Sequence, residues 1–373
     1  MFKDTYKNKK VLITGNTGFK GAWLSIWLLK LGANVYGYSK DIPTNPSLFE
    51  AIDLESQINH IYGDVRDYNS LKKVFDEVKP DFVFHLAAQP IVSTSFINPI
   101  ETYETNIIGT VNVLEAFRLM SHKSNLIVIT SDKCYYNVEW TYGYRENDRL
   151  GGKDPYSASK AGAEIVFSSY FQSFYKSDPN KHITSARAGN VIGGGDWATN
   201  RIVPDAITSW AANQNVEIRS PYATRPWQHV LEPLSGYLRL GQLLTEKRDK
   251  INGESFNFGP AYNQNHTVLE LLNKISENWF LNNNELNTGI TTNTENALLE
   301  ANLLKLNCDK SLHTLDWEPV LNFEKTTEFT GNWYYEFYFK NPSKQSLFSF
   351  TLEQIELFEN LAKEKKISWT VNN

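Results

Sequence analysis

The sequence predicts an α/β protein with a doubly wound parallel sheet and a smaller carboxy-terminal lobe. Short apolar runs alternate with helical stretches through the first half of the chain, and a glycine-rich turn joins the first run to a long apolar helix. Strands that alternate with helices form parallel sheets, because each helix carries the chain back across the sheet. After about residue 190 loops and isolated segments replace this alternation, which predicts the second lobe.

The elements of the sheet are predicted in a regular order. The strands are KKVLIT at residues 9–14, then NVYGYS, INHIYGDV, DFVFHLAA, NLIVITSDK and HITSARAGNVIG. Helices are predicted up to residue 31 and around residues 70–78, 99–120 and 154–175. Right-handed crossovers bring the carboxyl ends of parallel strands to one edge, where ligands bind. Residues that follow strand ends are therefore expected to meet in one crevice: Gly15, Asp64, Ala87, Ser131 and Asn190.

The turn after the first strand has the pattern of a phosphate site. It reads Gly15-Asn16-Thr17-Gly18-Phe19-Lys20-Gly21. Glycines let the backbone approach a pyrophosphate, and the helix that follows offers free N–H groups and the positive end of its dipole. Glycine spacing alone also fits a tight turn without a ligand. The strand before the turn and the helix after it favour a dinucleotide site.

A Tyr–Lys pair in the predicted helix 154–175 indicates hydride-transfer chemistry. Tyr156 and Lys160 are four residues apart and so share one helix face. The lysine ammonium favours the phenolate, although a free phenol titrates near ~10. We therefore expect a lowered pKa for Tyr156, which makes it a usable base near neutral pH. We expect the hydroxyl of Ser131 to hold a substrate alcohol against it.

Composition excludes several classes of protein. The net charge of −5 and the pI of about 5.9 argue against a nucleic-acid partner. The only cysteines, Cys134 and Cys308, predict neither an all-cysteine zinc site nor a disulfide framework, and no metal site is predicted. The start of the chain is not a signal peptide, and the apolar run at residues 23–29 is shorter than the ~20 residues of a membrane span. We expect a cytoplasmic protein without a membrane partner.

We divide the chain into three parts. Residues 1–190 are expected to form the dinucleotide-binding domain, and residues 191–340 most of the substrate-binding lobe, with later segments able to return to the sheet. Residues 341–373 are expected to form a helical tail. Within it, residues 349–365 place Leu352, Ile355, Phe358 and Leu361 on one stripe, which predicts a helix docked on the body or on another subunit.

Several stretches between residues 11 and 240 have a distinctive sequence. They are GNTGFKGAWLSIWL, NPSLFE, HLAAQP, SDKCYYN, GYREND, GGKDPYSASKAGAE, RAGNVIGGGDWA and RPWQHVLEPLSGYL. Together they resemble the extended short-chain dehydrogenase/reductase family, whose cofactor domain has the Rossmann fold. Within that family the chain is similar to the nucleotide-sugar 4,6-dehydratases, above all to their CDP-glucose branch. Members of this branch are lyases that feed deoxysugar and surface-polysaccharide synthesis.

The resemblance implies an internal redox loop on a hexose. In this reading Tyr156 takes the proton of the 4-hydroxyl, Ser131 hydrogen-bonds the 4-oxygen, and Lys160 tunes Tyr156 and holds the nicotinamide ribose. Asp132 is the candidate acid for the departing 6-hydroxyl. Lys133 stands where many dehydratases have a Glu, and the CDP-glucose branch itself has Lys there. Lys133 is therefore either the base for the proton at C5 or an ion-pair partner of Asp132 or the substrate.

The resemblance implies NAD as the cofactor. The residues expected to bind it are Gly15, Thr17, Gly18, Phe19, Lys20, Gly21, Asp64, Val65, Leu86, Ala87, Ala88, Tyr156 and Lys160. Asp64 is expected to accept a hydrogen bond from the adenine amine. The second strand ends Tyr38-Ser39-Lys40-Asp41. This end lacks a clear acidic selector for NAD, and Lys40 suits a 2′-phosphate, so NADP is the alternative.

The substrate implied by the resemblance is a nucleotide sugar, and its diphosphate needs cationic donors. The residues expected to bind it are Gln89, Asn190, Arg201, Arg219, Arg225 and His229. Asp196 and Trp197 are expected near the nucleotide, whereas Asn106 is expected to be structural. The family also implies a homodimer, in which the helices near 99–120 and 154–176 pack as a four-helix interface. A 4-epimerase, a dehydratase of another nucleotide hexose and a non-catalytic dinucleotide-binding scaffold are the alternatives.

Overall fold

The computed structural model describes residues 1–262, 264–280, 289–292 and 303–371. Its centre is a seven-stranded sheet. The strands are β1 (Lys10–Thr14), β2 (Asn34–Ser39), β3 (Asn59–Tyr62), β4 (Phe82–His85), β5 (Ser124–Ile129), β6 (Lys181–Ala188) and β11 (Ser255–Phe258). They lie in the order β11-β6-β5-β4-β1-β2-β3, and every neighbouring pair is parallel. The predicted doubly wound parallel sheet is therefore confirmed.

Short two-stranded pairs lie outside this sheet. Their strands are β7 (Val191–Ile192), β8 (Val216–Ile218), β9 (Thr224–Arg225), β10 (Gln228–His229), β12 (His266–Thr267) and β13 (Ile290–Thr292). β7 pairs with β10, β8 with β13, and β9 with β12. Because β11 follows β7, β8, β9 and β10 in the chain and joins β6, the later part of the chain does return to the main sheet. The domain boundaries near residues 190 and 340 stay a prediction.

Helices cover both faces of the sheet. Those of the first half are α1 (Phe19–Lys30), α2 (Leu48–Ala51), α3 (Tyr68–Val78), α4 (Val92–Ile97), α5 (Pro99–Tyr103), α6 (Gly109–Leu119) and α7 (Pro155–Tyr170). Those of the second half are α8 (Ile202–Ala211), α9 (Leu231–Glu246), α10 (Val268–Phe280), α11 (Asp309–Leu315), α12 (Phe323–Phe339) and α13 (Lys344–Glu364). No helix within the described ranges is both long and apolar enough to cross a bilayer.

The two faces have separate cores because successive strand residues point to opposite sides. Val11 and Ile13 of β1 pack in the core that includes α1 and α9, whereas Leu12 packs in the core of α3, α6 and α7. A π-helical turn at Glu104–Ile108 interrupts the predicted helix 99–120, and a second one at Phe171–Tyr175 forms the end of the predicted helix 154–175. The α7 region therefore starts and ends close to the prediction but is not uniformly α-helical.

The tail docks on the body, as its apolar stripe predicts. Ile355 and Phe358 of α13 are fully buried in the core that includes α1, and Leu352 and Leu361 pack against it partly buried. The indole N–H of Trp27 in α1 donates to a carboxylate oxygen of Glu359 at 2.8 Å. The tail thus covers the back of the helix that follows the glycine-rich turn.

Candidate active site

The glycine-rich turn brings backbone close to backbone at the end of β1. Gly15 has a φ of +79°, and a Cβ atom there would lie 2.7 Å from the amide nitrogen of Ala87. A Cβ atom on Gly21 would lie 2.1 Å from the carbonyl oxygen of Gly15. Gly18 is the N-cap of α1, and within the described ranges no side chain caps this helix start. Its first N–H groups remain available, so the turn fits the pyrophosphate of a dinucleotide.

The predicted adenine contact is already engaged in an ion pair. Both carboxylate oxygens of Asp64 accept hydrogen bonds from Arg66, the shortest at 2.7 Å. Burial opposes ionisation of Asp64, but this pairing outweighs it and lowers the pKa of Asp64. Val65 is buried, and its side chain packs against Gly109. The Lys40 ammonium lies 3.0 Å from Glu101 and 3.7 Å from Asp41. The positive charge of Lys40, which was expected to suit a 2′-phosphate, is therefore neutralised by the carboxylates of Glu101 and Asp41.

The loop after β4 is held by its own polar side chains. The Asn106 amide accepts from the Gln89 backbone N–H and donates to the Gln89 carbonyl and to Ser159 of α7. This gives Asn106 the structural role that was expected. The Gln89 amide bonds Ile91 and Thr102, so its donors and acceptor hold the loop, and its place in the sugar site stays a prediction. The half-buried Leu86, Ala87 and Ala88 start this loop beside the glycine-rich turn.

The start of α7 positions the Tyr–Lys pair. The Asp154 side chain caps the helix by accepting from the Ser157 N–H at 2.9 Å, and Pro155 occupies the first turn. Tyr156 and Lys160 are both buried on one face, with the Lys160 ammonium 6.0 Å from the Tyr156 ring centroid. The structure thus brings the predicted pair together.

The pKa of Tyr156 differs from the expectation based on charge proximity. Burial raises the pKa of Tyr156 to about 12, and the hydrogen bond with Ser131 opposes this only in part. Burial also lowers the pKa of Lys160 to about 8, and the nearby Lys20 ammonium lowers it further. The expected lowered pKa of Tyr156 is therefore wrong for the protein alone, because desolvation of the phenolate outweighs the nearby cations.

Ser131, Asp132 and Lys133 form a short turn directly after β5. The Ser131 hydroxyl donates to a carboxylate oxygen of Asp132 at 2.9 Å and accepts from the Lys133 N–H at 3.2 Å. A Cβ atom on Gly189 would lie 2.0 Å from an oxygen of Asp132, so only glycine leaves room for this carboxyl group. Lys133 is half-buried, and none of the described carboxylates lies within ion-pair distance of its ammonium. The alternative in which Lys133 pairs with Asp132 is therefore wrong.

The segment between β7 and α8 supplies an anion, Asp196, and a cation, Arg201, to the crevice. The Asp196 carboxylate accepts from Arg201 at 2.8 Å, and both lie close enough to Lys20 to affect its pKa. Burial lowers the pKa of Lys20 to about 8. Arg201 also acts electrostatically on Tyr156. Trp197, by contrast, is buried against aromatic rings of α12, and its place near the nucleotide stays a prediction.

The remaining predicted substrate ligands are not equivalent. Arg225 is half-buried in β9, and its guanidinium donates to the Thr224 carbonyl at 2.9 Å. Arg219 is exposed beside Asp205, and Asn190 is half-buried with a left-handed backbone between β6 and β7. His229 is fully buried between the rings of Trp23 and Phe329, and burial lowers its pKa to about 3.

The prediction that His229 lines the sugar site is therefore wrong: it is a neutral core residue. The aromatic rings around it come from α1 and α12, which lie far apart in the sequence, so only the tertiary structure identifies this environment.

A pocket beside Asp132 contains polar residues that the sequence motifs did not single out. Its polar lining includes Asp132, Gln228, Gln264, Asn265 and Lys305. Gln228 lies within the RPWQHV stretch, but Gln264 and Lys305 lie beyond the distinctive motifs, where the sequence offered no signal. Asp132 therefore faces both the Tyr–Lys pair and a second wall built by the later part of the chain.

Comparison with known proteins gives the family. The family model for GDP-mannose 4,6-dehydratase matches residues 12–330. A CDP-glucose 4,6-dehydratase of Salmonella typhimurium is 46% identical over 336 residues, which are 89% of this chain and 92% of that protein. An epimerase structure from Methanothermobacter thermautotrophicus is 25% identical, with a TM-score of 0.75 and 96% of each chain covered.

A dTDP-glucose 4,6-dehydratase of Bacillus anthracis, solved in complex with NAD, has the same fold. Its TM-score is 0.71 at 21% identity, with 90% of this chain and 99% of that chain covered. The sequence motifs, the parallel sheet and the family model agree. The chain therefore belongs to the GDP-mannose 4,6-dehydratase family, within the extended short-chain dehydrogenases/reductases.

Proposed function

We propose that this protein is an NAD-dependent 4,6-dehydratase that converts CDP-glucose to CDP-4-keto-6-deoxyglucose and water. The observation that carries the proposal is the buried Asp132, hydrogen-bonded to Ser131 and facing the same crevice as Tyr156 and Lys160. Oxidation alone needs Ser131, Tyr156 and Lys160, whereas elimination of water also needs an acid beside them. The relative at 46% identity supports the cytidine nucleotide.

Each residue of the crevice has one role in this proposal. Tyr156 takes the proton of the 4-hydroxyl while Ser131 hydrogen-bonds the 4-oxygen, and the 4-ketone then acidifies the proton at C5. Asp132 carries the proton that leaves with the 6-hydroxyl as water. Lys160 orients the nicotinamide ribose, and the turn from Gly15 to Gly21 holds the pyrophosphate. When bound, NAD would supply a hydride acceptor for C4 and the hydride donor for C6, and its oxidised ring would add a positive charge to the crevice. A proton returned to C5 when the hydride reaches C6 completes the 4-keto-6-deoxy sugar.

Lys133 is the proposed base for the proton at C5. Its ammonium has no ion-pair partner among the described residues, and it leaves the same turn as Ser131 and Asp132. A lysine acts as a base only when it is neutral, and the Lys133 amine is not held as an ammonium by a carboxylate of the described residues. The Lys133→Ala enzyme is tested with substrate deuterated at C5. Loss of label washout with retained oxidation at C4 supports the role, and washout at the wild-type rate excludes it.

NAD is favoured over NADP by the surroundings of Lys40. The Lys40 ammonium pairs with the carboxylates of Glu101 and Asp41. A 2′-phosphate placed beside Lys40 would bring its negative charge close to these two carboxylates, which repel it. The glycine-rich turn fits either cofactor. Because the redox loop regenerates its cofactor, the reaction needs no external reductant.

A homodimer through α5, α6 and α7 is also part of the proposal. Large apolar side chains on and beside these helices are exposed: Phe96, Ile97, Ile100, Tyr103, Ile108, Ile165 and Phe174. Such a patch marks an interaction surface, and a second copy of the same helices gives a self-complementary four-helix contact. Ile100→Glu combined with Ile165→Glu is expected to yield monomers in light scattering.

One assay tests the function. Purified protein with NAD is incubated with CDP-, dTDP-, UDP- and GDP-hexoses, and the masses of the products are measured by mass spectrometry. Loss of one water from CDP-glucose is the expected result. An unchanged mass with inversion at C4 identifies a 4-epimerase, the activity of several proteins with this fold, among them a UDP-glucose 4-epimerase of Brucella ovis. Tight NAD binding without turnover of any hexose identifies a non-catalytic scaffold.

A further inference from the structure

The pocket beside Asp132 contains acceptor groups without donors. Gln228 is 1% exposed, and its side-chain oxygen has no hydrogen-bond partner among the described residues. The side-chain oxygen of Gln264 is likewise buried and unpartnered within the described ranges. Buried polar atoms are almost always paired, and each unpaired one costs free energy. Two such oxygens in the lining of one pocket point to a ligand that donates to them.

The orientation of Gln228 is fixed by its own hydrogen bonds. Its side-chain nitrogen donates to the carbonyl oxygens of Gly189 and Phe258, both at 3.0 Å. A flipped amide would place its oxygen against two carbonyl oxygens, so the assignment of nitrogen and oxygen is determined. The oxygen of Gln228 is therefore an acceptor in the wall that Asp132 also lines.

This chemistry separates the sugar from the diphosphate. Phosphate oxygens accept hydrogen bonds and carry negative charge, so they cannot pair with two carboxamide oxygens beside a carboxyl group. The cation of the lining, Lys305, donates to the Tyr262 carbonyl and leaves the two oxygens unpartnered. A hexose hydroxyl donates. In the proposed reaction the 4-hydroxyl faces Tyr156 and the 6-hydroxyl faces Asp132, which leaves the hydroxyls at C2 and C3 as donors.

We infer that Gln228 and Gln264 form the subsite that recognises the C2 and C3 hydroxyls of the hexose. The apolar Pro226 and Pro260 complete the wall beside them. The inference rests on the proposed function, because that function places the hexose beside Asp132. The inference makes Gln228 and Gln264 specificity-determining residues of the reaction. By accepting from the hexose hydroxyls, their side-chain oxygens would set which face of the hexose ring lies against Asp132.

The test measures binding of CDP-glucose and of its 2-deoxy and 3-deoxy analogues to the NAD-loaded protein by calorimetry. A site built to accept from a hydroxyl rejects the analogue that lacks it, because the acceptor stays unpaired. For the wild-type protein we expect at least one analogue to bind about tenfold more weakly than CDP-glucose. In Gln264→Leu or Gln228→Met the preference for the hydroxyl should fall to within about twofold.

Controls separate this effect from misfolding. Both variants should bind CDP with wild-type affinity, because neither glutamine is assigned to the diphosphate. Gln57→Leu changes an exposed glutamine outside the pocket and should retain the wild-type preference. If Gln228→Met does not fold, Gln264→Leu alone decides, since its side chain makes no hydrogen bond within the described residues.

The outcomes distinguish the subsite from the function. Wild-type protein that dehydrates CDP-glucose but binds both deoxy analogues equally well overturns the subsite alone. Variants that retain the full wild-type preference also overturn it. Wild-type protein that neither dehydrates a nucleotide hexose nor binds one more tightly than its nucleotide overturns the dehydratase proposal, and the subsite with it.

Discussion

Two buried polar regions adjoin the turn after β5, and they differ in how their atoms are paired. In the first, the rear region, Glu164 and Arg187 form an ion pair at 2.7 Å, and the Glu164 carboxylate also accepts from Thr130 and Ser185. In the second, the front region, the pocket beside Asp132 holds the unpartnered oxygens of Gln228 and Gln264. The protein satisfies the first region itself and leaves acceptors in the second for a ligand.

The difference assigns a role to each region. Glu164 lies one helical turn beyond Lys160, and Thr130 directly precedes Ser131, so the paired region ties α7 to the turn after β5. It is a support that fixes where Tyr156 and Ser131 meet. The unpaired region holds the groups that contact substrate. The experiments below alter one region or the other, in order of decreasing expected effect.

Tyr156→Phe removes the proposed base from the front region. We expect kcat for dehydration of CDP-glucose to fall about 10²- to 10⁴-fold, as is typical when a general acid–base group is lost. The phenylalanine ring keeps the packing, so the stability and the NAD affinity should stay close to wild type. Stopped-flow absorbance of the cofactor should show no oxidation at C4.

A matched control lies on the same helix. Tyr170→Phe removes a hydroxyl that bonds only Glu115 at 3.5 Å among the described contacts, well away from the crevice. It should leave kcat unchanged. Wild-type activity in Tyr156→Phe would contradict the assignment of the base.

Glu164→Ala breaks the paired region. Removing one partner of a buried ion pair leaves an uncompensated charge, and we expect a loss of about 3–5 kcal/mol in the free energy of unfolding. Urea denaturation measures it. Glu115→Ala breaks a half-exposed pair with Arg118 and should cost about 1 kcal/mol or less. Equal losses in the two variants would show that burial does not set the cost of breaking these pairs.

The sequence predicted the front region far better than the rear. Tyr156, Lys160, Ser131 and Asp132 lie in motifs whose spacing reflects strand ends and one helix face, and the structure brings them together. The sheet itself follows from the alternation of apolar runs and helices, and it was predicted almost strand for strand.

The burial of individual side chains and their hydrogen-bond partners could not be predicted from the sequence. His229 is a core residue, Gln89 serves its own loop, and burial raises the pKa of Tyr156, because in each case distant segments supply the surroundings. The part of the pocket that contains Gln264 is formed by residues that follow β11 and belong to no motif. The pairing of β11 with β6 in the main sheet brings these residues to the site.

Glu232 provides an intermediate case, since it is a buried carboxylate paired with backbone amides. It accepts from the N–H groups of Val320 and Leu321, and burial raises its pKa from 4.5 to about 7. Between about pH 4.5 and pH 7, Glu232 therefore keeps its proton in the folded state but loses it in the unfolded state. The contribution of Glu232 to the free energy of unfolding falls over this range by on the order of 3 kcal/mol, and it stays constant above about pH 7.

Glu232→Gln isolates that contribution, because glutamine keeps an acceptor for the amides and does not titrate. Urea denaturation at pH 5 and pH 8 should show the variant gaining stability relative to wild type at the higher pH. Glu359→Gln is the control, since Glu359 is a buried carboxylate that pairs with the Lys30 ammonium at 3.0 Å. A pH-independent difference between wild type and Glu232→Gln would contradict the raised pKa.

Lys40→Ala should have the smallest effect, because it alters an exposed pair at the rim of the cofactor site. The Lys40 ammonium is already bound to Glu101, so it has little charge to offer a 2′-phosphate, and exposed pairs contribute about 0–1 kcal/mol. We expect the NADP affinity of Lys40→Ala to change less than about threefold in fluorescence titrations. Glu101→Gln removes the nearer of the two carboxylates beside Lys40 and should raise NADP affinity by more than Lys40→Ala lowers it. A tenfold loss of NADP binding in Lys40→Ala would instead place Lys40 among the residues that await a ligand, together with Gln228 and Gln264, and would reopen the choice of cofactor.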